Sequence, residues 1–539
     1  MSSVVNLLLS VIEYIGIANL LTTITICLVT FWYIRMNYGA SFHYRLPPGP
    51  PVIPYPFDFL MALFPSSNRF GRMIFLSKRY GDITCLQLGR RMIIMISSPS
   101  LVKELIVKQA DVTSNRSAPP FFTSVMDYKG GIIFSDGVPW QEIRRFSLSA
   151  LRNFGMGRKG IETRIQEEAR NLCNAFAQHS SEAFDAMHLT NAAVSNIICS
   201  ITFGRRLEYD DPVFMDMIQR LRNVTSGVGI NPIIRELMMR FPILLKTPLL
   251  GKPRQTFWES RHLAWVGRTS RCDVIRLPNN PNFITKEVIE HIESYHSSDI
   301  RDIIDMYLTE AERLEEEKKK AKEDKLKPYL NKDDIWMCVF DLFLAGTETT
   351  STALLWFLLV MAAKPDVQEK VISEIDRVVG RERAPCMEDR KDMPYTDATL
   401  IEVLRYRPVA PLGVPHVTAK DVEIGDYTIP RDTEIMINII GIHLDPRLWD
   451  EPEEFNPHRF LSEDGKTVIK PQDAFTVFGA GRRVCLGEQL ARMEFYLFAT
   501  TLMQRFRFRL PEGESGDFGF EHCLGTIAPK NFKILAQER

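Results

Sequence analysis

Between Phe478 and Arg492 the chain reads FGAGRRVCLGEQLAR, a lone cysteine set just behind two arginines and just ahead of an apolar helical pattern. A thiolate, not a thiol, binds a soft metal centre, so the local field around Cys485 is expected to favour negative sulfur. Leu486, Leu490, Met493 and Leu497 fall at i, i+4, i+7 and i+11, the stripe of an amphipathic helix. That puts the sulfur at a helix N-terminus, where unpaired N–H groups and the helix dipole stabilise anions. Gly479, Gly481 and Gly487 permit a tight loop with close backbone approach, and Phe478 is positioned to shield the sulfur from water. The chemistry this predicts is thiolate ligation of a metal.

Three further runs carry reactive side chains. Phe343–Leu359, FLAGTETTSTALLWFLL, sets threonines, a glycine and Glu348 into an otherwise apolar helix. Such residues are poor helix formers. Threonine hydroxyls bonding back to carbonyls one turn earlier would bend the helix. EVLR, Glu402 to Arg405, puts a carboxylate and a guanidinium at i, i+3 on one helix face, where they can pair. WQEIRRF, Trp140 to Phe146, places Trp140 and Arg144 one turn apart on one face.

Phe478, Gly481, Arg483, Cys485 and Gly487 meet the pattern FxxGxRxCxG, and the run resembles the heme-binding loop of cytochrome P-450 enzymes. The resemblance implies heme b as cofactor, with Cys485 as the axial thiolate of its iron, whose electron density favours O–O cleavage. It gives Arg483 a propionate to pair with. Ala345, Gly346, Thr347, Glu348, Thr349 and Thr350 meet the family's [AG]Gx[DE]T[TS], which implies that Thr349 and Glu348 relay protons to dioxygen. Arg459, in FNPHRF, would join Glu402 and Arg405 in a buried network behind the cysteine loop. Trp140 and Arg144 match the family's WxxxR helix. His416 in GVPH and Arg116 in SNRS match further propionate donors, although Ser117 stands where a proline is usual. Arginine's fork suits carboxylates.

The similarity runs along essentially the whole chain and is greatest to animal microsomal members, within them family two. It implies a monooxygenase acting on a lipophilic substrate: a fatty acid, a sterol or steroid, or a xenobiotic. YRPVAPLGVPH, Tyr406 to His416, also reads like steroid-hydroxylating relatives. By the same analogy Phe121, Phe122, Ile132, Phe343, Ala345, Ala410, Val414 and Thr526 line the pocket, a mostly apolar set. Electrons would come from NADPH through a separate flavoprotein reductase docked near Arg145, since no GxGxxG follows a strand here. Two alternatives are a heme-thiolate isomerase of peroxides and a non-catalytic heme- or lipid-binding membrane protein. The retained Glu348 and Thr349 speak against both.

The elements that must position these residues read as mainly α with small β-sheets, in the cytochrome P-450 fold. Ile83–Leu88 and Arg91–Ser97 alternate like a hairpin; Ile161–Gln178 and Lys364–Val379 have helical spacing; Val422–Pro430 is β-like. Thr309–Asp334 is dominated by charge and reads as a solvated helix end and loop. Tyr14–Ile34 carries no charge over about the 20 residues that span a bilayer. Arg35, His43 and Arg45 follow it, which predicts a cytosolic body behind one span in the endoplasmic reticulum membrane. A cleaved signal would need a basic leader, which is missing. The expected organisation is an anchor at 1–35, a proline-rich hinge at 36–60 and one catalytic domain at 61–539.

Cytosolic placement makes the sequons at Asn115 and Asn223 poor glycosylation sites. Phe241–Leu250 reads equally as a membrane-dipping segment or a buried connection. The nine cysteines are scattered without a CxxC pair, which argues against a disulfide framework or zinc site. A net charge of −1 gives no reason to expect a nucleic-acid partner.

Overall fold

A helix that is apolar on every face is stable only with protein all round it, and Ile335–Ala363 is such a helix. In the computed structural model it runs through the middle of the molecule, and its apolar window is largely buried. The structure describes residues 14, 19, 21–35, 43–52, 69–88, 91–118, 131–154, 159–179, 182–226, 283–321, 329–332, 334–469, 473–514, 516–522 and 525–539. Ahead of the central helix come α1 (Arg69–Tyr80), α2 (Gly137–Asn153), α3 (Lys159–Ala177), α4 (Met187–Thr202), α5 (Pro212–Ser226), α6 (Phe283–Ser294) and α7 (Ile303–Ala321). The central helix is α8; α9 (Pro365–Val378), α10 (Pro394–Tyr406) and α11 (Glu488–Arg505) follow. Helices α4 and α11 pack on α8, and α3 packs on both of them. A Cβ at residue 346 would overlap Ile198, so Gly346 is what lets α4 lie so close to α8.

The strands are β1 (Ile83–Leu88), β2 (Arg91–Ile96), β3 (His416–Val417), β4 (Val422–Ile424), β5 (Tyr427–Ile429), β6 (Glu434–Ile437), β7 (Phe506–Arg509), β8 (Phe520–His522), β9 (Ile527–Pro529) and β10 (Leu535–Glu538). The main sheet has the order β1-β2-β6-β3, with β1 and β2 the expected hairpin and β6 parallel to β2. Among the described residues three two-stranded ribbons accompany it: β4 with β5, β7 with β10, β8 with β9. The protein is therefore mainly helical with small sheets. The helices expected at Ile161–Gln178, at Lys364–Val379 and after Cys485 are α3, α9 and α11.

The charged run from Thr309 is helical as far as Ala321, and residues 322–328 and 333 lie outside the described set. At the front, Leu21–Arg35 is an apolar helix shorter than a full span, and the remainder of the Tyr14–Ile34 run is described only at Tyr14 and Asn19. Large apolar side chains on it are exposed, among them Leu21, Leu28, Phe31 and Trp32. Phe121, Phe122 and Phe241–Leu250 lie outside the described residues, as does the Asn223 side chain.

Candidate functional site

The cysteine loop folds back on itself. Cys485 N–H donates to Phe478 O at 2.9 Å, and α11 starts three residues on with Gly487 at its N-cap. Gly481 has φ 65°, and a Cβ there would collide with the Ile106 carbonyl, so only glycine fits. The Arg492 guanidinium covers the Phe478 ring at 4.6 Å. Among the described cysteines, Cys85, Cys173, Cys199 and Cys338 are buried, Cys386 is half-buried and Cys27 is on the N-terminal helix; Cys485 presents an open face from a loop.

The local field at the sulfur pulls in both directions. Burial by the surrounding loop pushes the Cys485 thiol above its ordinary value, against the pull of the Gly487 N–H; Glu488 adds to the rise, and Arg144 and Arg492 oppose it. A cation bound at the sulfur would pull the other way and favour the thiolate.

Beside the loop, three arginines gather around Trp140 and Asp136, and one guanidinium, that of Arg483, pairs with the carboxylate. Arg483 Nε donates to Ser114 O at 2.8 Å, and its Nη2 to Ser135 O at 2.6 Å and Asp136 Oδ1 at 3.0 Å. Its Cζ lies 3.7 Å over the buried Trp140 ring. Arg144, one turn along α2 from Trp140, donates to Val484 O at 2.6 Å and stands 5.8 Å over the same ring. Arg116 gives its backbone N–H to Asp136 and Nη1 to Val414 O. Its buried Nε has no partner. Burial first, then repulsion from Arg483, brings the Arg116 guanidinium down to about 9 against the pull of Asp136.

His416 is drawn in because Val417 N–H donates to Asn115 O, stitching β3 to the Arg116 segment. Its Nδ1 bonds Thr113 O at 2.8 Å. Burial and the neighbouring Arg116 lower its pKa to about 3, so the imidazole is neutral and Nε2 is an acceptor; it donates to an anion only once that anion has stabilised the imidazolium. An excess of buried positive charge with an orphaned guanidinium N–H is the complement of a dianionic ligand. The donor set fits the two propionates of heme.

On α8, Thr349 Oγ1 donates to Ala345 O at 2.7 Å, the back-bond that the threonine spacing allowed. Ala345 is nevertheless exposed in the midst of a buried helix, so a groove opens there. Glu348 is buried. Of the pocket residues, Phe343 is fully buried, Val414 is exposed, and Ile132 is half-buried with its N–H 2.6 Å from Asp341 Oδ2. Ala410 and Thr526 are half-buried.

One carboxylate escaped the sequence reading. Glu494 on α11 is 1% exposed, hydrogen-bonds Thr350 on α8, and leaves Oε1 without a partner. Burial pushes its pKa up to about 8. The only signal was an acid inside the apolar run MEFYLF. The folded protein therefore holds a proton that the unfolded chain releases at about 4.3, and stability drains as pH rises from there through 8. Glu494→Gln should raise the melting temperature clearly at pH 8 and little at pH 5; thermal melts giving the same gain at both would contradict this.

The Glu402 network reaches the cysteine loop. Arg405 grips Glu402 through Nε at 2.6 Å and Nη2 at 2.8 Å, and Arg459 Nε joins at 3.1 Å. Arg405 O accepts from His443 Nδ1 at 3.1 Å, and His443 Nε2 accepts the Thr476 N–H, also at 3.1 Å. Thr476 lies two residues before Phe478. Burial, with Arg405 adding, lowers His443 to about 3, which keeps it neutral for this role.

The family model described as Cytochrome P450 matches residues 47–262 and 270–536. The chain is 35% identical to Cytochrome P450 2U1 of Rattus norvegicus over 550 residues, covering 98% of this chain and 96% of the relative. It is 37% identical to Cytochrome P450 2J2 of Homo sapiens over 490 residues (91% of each). It is likewise 37% identical to Cytochrome P450 2H1 of Gallus gallus over 527 residues, covering 97% of this chain and 99% of the relative.

Proposed function

The chain belongs to the cytochrome P450 family, monooxygenase oxidoreductases built on thiolate-ligated heme, and from that premise we propose which of its residues do the work. Cys485 Sγ would ligate the heme iron as a thiolate. Arg116, Arg144, Arg483 and, once protonated, His416 hold the propionates, with Trp140 stacked beneath two of the guanidiniums. Gly481 lets the loop close, and Phe478 keeps water from the sulfur. The observation that carries this reading is the unmatched positive charge around Arg116, whose buried Nε has no partner.

When bound, the heme supplies iron that activates dioxygen. Glu348 takes up protons, and Thr349 Oγ1, released from Ala345 O, passes them into the groove above the central helix. One oxygen atom enters a C–H bond of the substrate; the other leaves as water, with two protons and two electrons.

The substrate is a lipophilic molecule, a fatty acid, sterol or steroid, or xenobiotic, in keeping with the apolar lining. NADPH supplies electrons through a separate flavoprotein reductase. Arg145, exposed and paired at 3.2 Å with Glu142, is a contact for that acidic partner. The exposed apolar side chains of Leu21–Arg35 support an anchor in the endoplasmic reticulum membrane.

The test is a panel of lipids, steroids and drugs added to the purified holoprotein. At least one class should shift the heme absorption band and, with reductase and NADPH, drive oxygen uptake. Turnover of a peroxide with no NADPH requirement would replace this reading with the isomerase.

A further inference from the structure

At the corner between α6 and α7 a buried histidine faces two acceptors. His291, 8% exposed, sets Nδ1 2.7 Å from Glu287 O and Nε2 2.8 Å from Oδ2 of Asp302, which is 1% exposed. A neutral imidazole has one N–H to give. A backbone carbonyl has no proton to return, so Nδ1 must carry one. A second proton must then lie between Nε2 and the carboxylate, or lone pair would meet lone pair inside the protein. Asp302 Oδ1 is already committed, accepting the Asp305 N–H at 3.1 Å.

The other charges at the corner are occupied elsewhere. The Glu287 carboxylate pairs with Arg205, Arg301 grips Asp305 at 2.6 and 2.9 Å, and Lys286 faces Glu290 at 3.6 Å. Arg301 opposes the His291 proton; Asp302 and the Glu287 carbonyl favour it, and together they raise the imidazole above its ordinary value despite burial. The pair also has a neighbour that matters. The Phe203 ring sits 6.2 Å from His291, 5.5 Å from Phe283 on α6, and 5.3 Å from Phe343 on α8, against which it stacks.

We propose that His291 and Asp302 form a proton-operated latch, which ties the last turn of α6 to the head of α7 and so clamps α6 over the aromatic stack behind Phe343. The sign follows from linkage. A histidine whose proton is held more tightly in the folded state gives its full stabilisation below the unfolded value of about 6.5 and loses it as pH rises through the folded one. The latch is closed below the raised folded value and opens as pH climbs through it.

The experiment uses the full-length holoprotein. Histidine C2 deuterium exchange, followed by mass spectrometry from pH 6 to 10, reads the His291 titration directly, and a midpoint above 6.5 is expected. Amide exchange in peptides covering residues 287–302, corrected for its intrinsic pH dependence, should rise by up to about tenfold per pH unit between about 6.5 and that midpoint and level off above it, as one-proton linkage requires. Asp302→Asn removes the need for the shared proton, because its amide N–H can donate to a neutral Nε2 while Oδ1 still serves Asp305. That variant should keep protection at residues 287–302 and lose its pH dependence. A wild-type His291 midpoint at or below 6.5, or a wild-type pH profile in Asp302→Asn, would overturn the latch.

Discussion

Cys485→Ser should lose the carbon monoxide difference band typical of thiolate ligation, and with it NADPH-dependent turnover by more than about 10²-fold, beyond the 10–100-fold that an outer partner of a metal site typically costs. The effect is large because no other described cysteine lies on the loop. Among the described cysteines, the four fully buried ones lie elsewhere in the core, and Cys338 on the central helix faces Ser147 at 3.9 Å. The fold should survive. The loop is closed by backbone contacts, Cys485 N–H to Phe478 O and Val484 N–H to Gly481 O, which serine keeps. Circular dichroism and the melting profile of the apoprotein should therefore match the wild type. A Cys485→Ser or Cys485→Ala protein with an unchanged thiolate band would place the ligand elsewhere and end the proposal.

Glu402→Ala should destabilise the protein by about 3–5 kcal/mol, the range for stranding a buried charge, and the purified variant should fail to retain heme. Arg405 and Glu402 are both fully buried, and alanine would leave the Arg405 guanidinium with carbonyl partners only: His443 O, Pro452 O and Glu454 O. The Arg459 Nε and Asn456 N–H would lose their acceptor as well. Damage would travel by hydrogen bond from Arg405 O through His443 to Thr476, at the root of the cysteine loop. Glu402→Gln, which keeps an acceptor but not the charge, should fall between the two. Urea unfolding with heme content after gel filtration measures both effects; full heme retention in Glu402→Ala would separate this network from the heme site.

Much of this site was legible along the chain because its chemistry is local. The helix after Cys485, the i, i+3 pairing of Glu402 with Arg405, the shared face of Trp140 and Arg144, and the β1–β2 hairpin are all set by spacings of a few residues and by side-chain type. The third dimension decided the rest. Asp136 and the Ser114 and Ser135 carbonyls, which orient the arginines, come from segments far from the cysteine loop, and no spacing announces them. The parallel pairing of β2 with β6 joins residues more than three hundred positions apart. Titration belongs entirely to this second class. Cys485 stands at a helix terminus as the sequence implied, yet its thiol is raised, and Glu494 and the His291–Asp302 pair hold protons that their residue types alone would not predict. Sequence fixes which groups can carry charge; how much water and which opposite charges remain beside them depends on distances that only packing sets, and that balance governs whether the charge is carried.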